Sequence, residues 1–193
     1  MTFGEAEQPP ERRTFVLVDG ENLDATLGNA VLGRRPLPEE RPRWERLTAF
    51  VEREWQQRVT GLFFLNASSG SLPTTFVQAL LALEYRPVPL SGGPDEKVVD
   101  IGIQRTLQAL RDRPEADIVL VSHDADFAED LLALGDDTRR LGVVGFREFT
   151  STQLVGDGLS FFDLEYDVRA FNSELPRMRI IPLAEFDPTA FLH

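Results

Sequence analysis

At 193 residues, with 42% hydrophobic and 27% charged side chains, the chain is long enough for one full hydrophobic core plus a small appendage. It contains no cysteine, which excludes disulfides, thiolate metal sites and thiol nucleophiles. The net charge of −12 argues against nucleic-acid binding through a broad basic surface, but leaves room for metal ions and a local basic patch that hold phosphates. No run of about 18 apolar residues occurs, and the opening MTFGEAEQPPERR lacks a signal-peptide core, so a cytoplasmic protein with no membrane partner is expected.

Residues 1–13, with Pro9-Pro10 and several charges, read as a flexible tail. The apolar run 14–18 (TFVLV) predicts a first strand, and it ends in Asp19-Gly20-Glu21-Asn22, where Gly20 permits a tight turn and Asn22 suits a cap. Residues 28–43 are loop-like, with three prolines and four arginines. Singly, Arg34, Arg35, Arg41 and Arg43 are solvated connector residues; as a set they form a basic flap, a candidate substrate-binding element. From Trp44 a helix carries Trp44, Leu47, Val51 and Trp55 on one face, which makes both tryptophans core anchors before stacking platforms.

Residues 62–65 (LFFL) predict the second strand and residues 74–83 a helix behind Pro73. Residues 86–90 (RPVPL) predict a third strand confined to a sheet edge by its two prolines. The next helix opens at Lys97-Val98-Val99-Asp100 and buries Ile101, Ile103, Leu107 and Leu110. Asp100 suits the positive end of the helix dipole; Lys97 works against it, which calls for a carboxylate or phosphate partner. Residues 118–121 (IVLV) read as a buried parallel strand that ends in Ser122-His123-Asp124-Ala125-Asp126, with a helix from Phe127 to Leu134 beyond. Taken alone, Asp124 and Asp126 are equally well explained as a helix cap and a first-turn acid. Residues 141–146 complete the strands, and residues 151–193 form an aromatic-rich extension packed on the domain, with short extended segments at 161–164 and 180–183.

This alternation predicts an α/β fold: a five-stranded, mostly parallel sheet with helices on both faces. If strands one and four are neighbours, Asp19, Asp100, Asp124 and Asp126 converge at their carboxyl ends, where open α/β sheets bind ligands. Four carboxylates in a small volume need a cation, and oxygen-only ligands select Mg²⁺ or Mn²⁺ over zinc. Such ions can activate water for phosphodiester cleavage.

Asp19-x-x-Asn22, Lys97-x-x-Asp100 and Ser122-x-Asp124-x-Asp126-Phe127, in this order, resemble the NYN domain family of the PIN-like nuclease superfamily, in its LabA-like branch. The resemblance covers residues 14–150 and implies a PIN-like Rossmannoid fold with metal-dependent endonuclease activity, mainly on RNA. It casts Asp19, Asp100, Asp124 and Asp126 as catalytic, metal-binding acids, with Asn22, Lys97 and Ser122 in support. Two departures stand out. Where the family often carries a further acid on the Asp100 helix, this chain has Gln104, Arg105 and Thr106. His123 replaces a residue that is commonly small; local backbone geometry explains it, with a contact to substrate as the alternative.

The expected activity is therefore a Mg²⁺- or Mn²⁺-dependent endoribonuclease acting through metal-activated water on single-stranded or structured RNA, with a homodimer left open. The alternative is an RNA-binding or regulatory module with weak or no cleavage on the same fold. A smaller alternative is a phosphatase using the same acids. Only His123 and His193 occur and there is no Gly-x-Ser-x-Gly elbow, which argues against a serine hydrolase, and the lack of a phosphate-binding Gly-x-x-x-x-Gly-Lys-Ser/Thr loop excludes a P-loop NTPase.

Overall fold

Six strands form one sheet in a computed structural model that describes residues 11–177, 181 and 183–192. They are β1 (Arg13–Asp19), β2 (Val59–Asn66), β3 (Arg86–Leu90), β4 (Ala116–Val121), β5 (Leu141–Gly145) and β6 (Ser160–Asp163). Their order is β3-β2-β1-β4-β5-β6, with every neighbouring pair parallel. Every residue of β4 is buried, as are Val16, Leu17 and Val18 in β1, because both faces of the sheet are covered. β3, with Pro87 and Pro89, lies at the edge, where missing backbone donors cost no ladder bond.

The expectation of five strands is corrected to six. β6 pairs with β5 in register from Gly142↔Ser160 to Gly145↔Asp163. It has four residues, and its two central phenylalanines serve opposite faces. Phe162 packs edge-on against Phe50 and Trp55, while Phe161 joins the cluster on the other side. No polar alternation marks such a strand in the sequence.

The helices are α1 (Gly20–Thr26), α2 (Trp44–Trp55), α3 (Thr74–Ala82), α4 (Val98–Ala109) and α5 (Ala128–Leu132). Strand side chains alternate between faces, so Val16 and Val18 join one core with Leu23, Trp44, Leu47 and Leu80 from α1 to α3. Leu17 joins the other, with Ile103 and Leu107 of α4 and Leu131 of α5. Burying each such side chain contributes about 1.5–3 kcal/mol.

Residues 28–43 are not the loop expected of them. Leu27–Leu32 is a wide helical turn that continues α1 and buries Leu27 and Val31, and Gly33 ends it with φ of 66°. Pro38–Glu40 is a 3-10 turn. The apolar side chains pin the segment to the core. In the expected N-terminal tail, Arg13 opens β1 and Arg12 is ion-paired to Asp117, whereas residues 1–10 lie outside the described residues. The expected extended segment at 180–183 falls mostly outside them too, with Leu183 opening a short 3-10 turn. Among the described residues no helix is long and apolar enough to cross a membrane.

Candidate metal centre at the β1–β4 edge

The chain runs from β1 to β2 on one side and later returns to β4 on the other, so the carboxyl ends of β1 and β4 flank the switch point of the sheet. Asp19 is the last residue of β1 and shares the α4 face with Leu17. It is 3% exposed. Its carboxylate accepts the Asn22 backbone N–H at 3.1 Å, which caps α1, and the Ser122 hydroxyl at 3.0 Å. Burial pushes the Asp19 carboxyl up to about 6; the charges of Asp100 and Glu21 add to this and the two hydrogen bonds oppose it.

Residue 20 must be glycine for a packing reason. A Cβ there would stand 2.4 Å from the Phe63 ring, so only glycine lets the chain turn directly after Asp19 while Phe63 fills the core.

Asp100, in the first turn of α4, meets Asp124 and Asp126 from the loop after β4, with one ligand oxygen from each within 4.8 Å of the others. Three of the four expected acids thus converge. Asp19 lies outside that group as their buried neighbour, coupled electrostatically to Asp100. Asp124 also caps the turn Ala125–Phe127 by accepting the Asp126 N–H at 2.9 Å, which is the cap role read from sequence. Ser122 bridges the two layers: it donates to Asp19 and its hydroxyl oxygen accepts the Asp124 N–H at 3.2 Å.

Lys97 lies 3.2 Å from Asp100 and 3.8 Å from Asp126. This is the carboxylate partner its position required. Gln104, where a further acid was sought, donates to the Asp126 backbone carbonyl at 3.4 Å and ties α4 to the acidic loop.

Asn22 is the hinge pin of the site. Its side-chain oxygen accepts the His123 backbone N–H at 3.0 Å and lies 2.8 Å from His123 Nδ1. The other ring nitrogen, Nε2, accepts the Phe146 N–H at 2.9 Å, which assigns the proton to Nδ1. His123 is 7% exposed and stacked on Phe146 at 5.6 Å. Burial, reinforced by the Arg177 charge, pushes its pKa down to about 4. Both ring nitrogens are therefore occupied in holding the α1 and β5 loops together, which is the local-geometry role.

The four flap arginines divide. Arg34 pairs with Glu40 at 2.6 Å and Arg41 with Asp24 at 2.9 Å. Arg35 and Arg43 have no side-chain partner among the described residues. Two of the four flap cations are therefore unpaired among the described residues. Sequence reasoning missed Arg177, whose guanidinium contacts Glu148, Asp163 and Glu165 and lies between the rings of Phe146 and Tyr166. It backs the His123–Phe146 stack from the C-terminal segment, and no local pattern announces it.

A doubly covered parallel sheet in this strand order, with carboxylates gathered at its switch point, defines a Rossmannoid α/β protein with a candidate divalent-metal centre. Residues 13–165 match the NYN domain, and the chain belongs to that family. NYN domains are generally nucleases that depend on metal ions and act on RNA. A protein of unknown function from Vibrio parahaemolyticus has a similar crystal structure, with a TM-score of 0.59 at 19% identity over 82% of this chain and 97% of that one. At that identity the likeness is one of fold. No curated protein matches the sequence.

Proposed function

We propose that this protein is a Mg²⁺- or Mn²⁺-dependent endoribonuclease with a PIN-like catalytic unit of the LabA-like kind over residues 14–150, working in the cytoplasm. The observation that carries this reading is the convergence of Asp100, Asp124 and Asp126 beside a buried Asp19 that has hydrogen-bond donors but no cation partner among the described residues. The donor set fits a hard divalent ion, because every available ligand atom is a carboxylate oxygen. Asp100, Asp124 and Asp126 would hold the ion, with Asp19 beside them. When bound, it neutralises the acids and lowers the pKa of its water.

The chain's own residues supply the order. Ser122 and the Asn22 N–H aim the Asp19 carboxylate, and the Asn22 side chain locks the loop that presents Asp124 and Asp126. Lys97, with a side chain 69% exposed, can turn from the acids to a substrate phosphate. Arg43 is the flap cation left for the RNA backbone. The segment 151–193 supports the site from behind through Arg177.

A second reading, an RNA-binding or regulatory module, is favoured by Gln104 in place of an acid and by Lys97 already among the carboxylates. Cleavage of end-labelled single-stranded and structured RNA with Mn²⁺, Mg²⁺ or EDTA separates the two. The nuclease reading expects metal-dependent cutting that Asp124→Asn lowers by about a thousandfold. RNA binding that survives Asp124→Asn, with no cutting under any metal, would transfer the assignment to the second reading.

A further inference from the structure

A cavity of about 290 Å³ opens on the opposite face of the same sheet edge from the three clustered acids. Its walls include Trp44, Phe63 and Phe76, and its polar groups include Glu21 and Arg35. The metal acids stand on the α4–α5 side of the sheet, whereas this cavity belongs to the α1–α3 side. Only Gly20 separates Asp19 from Glu21, so the two sites share one turn of backbone. A second depression, about 700 Å³ between α2 and β6, has none of the site acids in its lining.

The cavity's chemistry is that of a base and not of a phosphate. Phe63 meets Trp44 edge-on at 5.0 Å and Phe76 at 5.2 Å, which builds a continuous aromatic wall with the half-buried Phe76 at its rim. Trp44 and Phe63 are buried and back the wall, so the face on which a base can stack is that of the half-buried Phe76. Arg41 and Asp24 also line the space but neutralise one another. Glu21 and Arg35 have no side-chain hydrogen bond or ion pair among the described residues. A carboxylate takes two adjacent N–H donors, and an arginine donates to a carbonyl oxygen. Guanine is the base that offers adjacent donors, N1–H and the N2 amino group, beside an accepting O6. Adenine, cytosine and uracil each break that row with an acceptor. An acid in the lining also disfavours a phosphate.

The geometry points to a guanine-binding pocket formed by Glu21, Arg35 and the Trp44–Phe63–Phe76 wall, which seats one base of the RNA strand whose backbone reaches the metal centre. It rests on the RNA-directed reading above and adds a base preference to it.

The test is titration of the full chain in EDTA with guanosine, adenosine, cytidine and uridine monophosphates and with inorganic phosphate, followed by tryptophan fluorescence. The guanosine nucleotide is expected to bind about tenfold more tightly than the other three, with no response to phosphate. Glu21→Gln should bring the four nucleotides within about twofold of one another, since an amide cannot accept both donors. Phe76→Ala should weaken all four by about tenfold. Equal affinity for the four, no binding, or a guanosine preference that survives Glu21→Gln would overturn the pocket. Because EDTA removes cleavage from the measurement, the two readings fail separately. A protein that cuts RNA but ignores guanosine monophosphate loses only the pocket, and one that selects it but cuts no RNA loses only the nuclease.

Discussion

Asp117 and Asp19 sit at opposite ends of the neighbouring strands β4 and β1, and both are buried, with exposures of 0% and 3%. Asp117 receives Arg12 at 2.6 Å, the Arg140 N–H at 2.9 Å, Arg140 Nε at 2.8 Å and Gln57 at 2.9 Å. Desolvation works to raise its pKa, but the Arg140 backbone donor and the Arg12, Arg140 and Gln57 side chains outweigh it and hold the carboxyl below the usual range. Asp19 has two neutral donors and, among the described residues, no arginine, and burial wins. Asp163, at the carboxyl end of β6, sides with Asp117 because Arg177 neutralises it. Position at the carboxyl edge therefore does not make a buried aspartate functional. What separates them is whether an arginine of the described residues lies against the buried carboxylate.

The largest expected effect comes from treating the two residues alike. Asp19→Asn should lower metal-dependent RNA cleavage by about a thousandfold while the metal-free protein keeps or raises its thermal midpoint. Asp117→Asn should leave cleavage per folded molecule unchanged and cost about 2–3 kcal/mol in urea denaturation, since it strips charge-assisted bonds from Arg12 and Arg140. Equal loss of stability in both variants would erase the contrast.

The pH dependence sharpens it. Asp19 has a folded pKa of about 6 against an ordinary 3.8, so its native state binds more protons in that window. Its contribution to stability is full below the ordinary value and is lost as pH rises through about 6. His123 runs the other way, with a folded pKa of about 4 against 6.5: its contribution is present above 6.5 and lost as pH falls through about 4. Each amounts to about 3 kcal/mol, so in the metal-free protein the two nearly cancel. Asp19→Asn should uncover the histidine slope, with urea midpoints that climb from acid to neutral pH. A flat profile in that variant would count against the assigned environment of His123.

The smallest effect concerns Lys97, the internal cation that partly does for Asp100 and Asp126 what Arg140 does for Asp117. Lys97→Met should tighten Mn²⁺ binding by about threefold in calorimetry, because a competing charge leaves the cluster. Unchanged or weaker binding would show that Lys97 does not compete with the ion.

Much of this was legible in the chain itself. β1, β2 and β4 announce themselves as apolar runs, α2 and α4 as helical periods, and β3 as an edge strand through its prolines. Asp19, Asn22, Lys97, Asp100, Ser122, Asp124 and Asp126 were readable as short motifs because each lies where one element ends and the next begins. From sequence β6 reads only as a short extended segment and not as a sheet strand, because four residues that serve two faces carry no period, and the 28–43 flap was misread because its prolines and arginines mask the burial of Val31.

Local sequence thus determined which elements form and which residues their ends present, since hydrophobic period, turn chemistry and capping act over a few residues. The tertiary structure alone decided which aspartate receives an arginine. Arg12 reaches Asp117 across 105 residues, Arg177 reaches Asp163 across 14, and Asp19 has none among the described residues. Charge partners are set by which strands become neighbours and which segments close over their ends, and those distances exist only after the sheet has assembled.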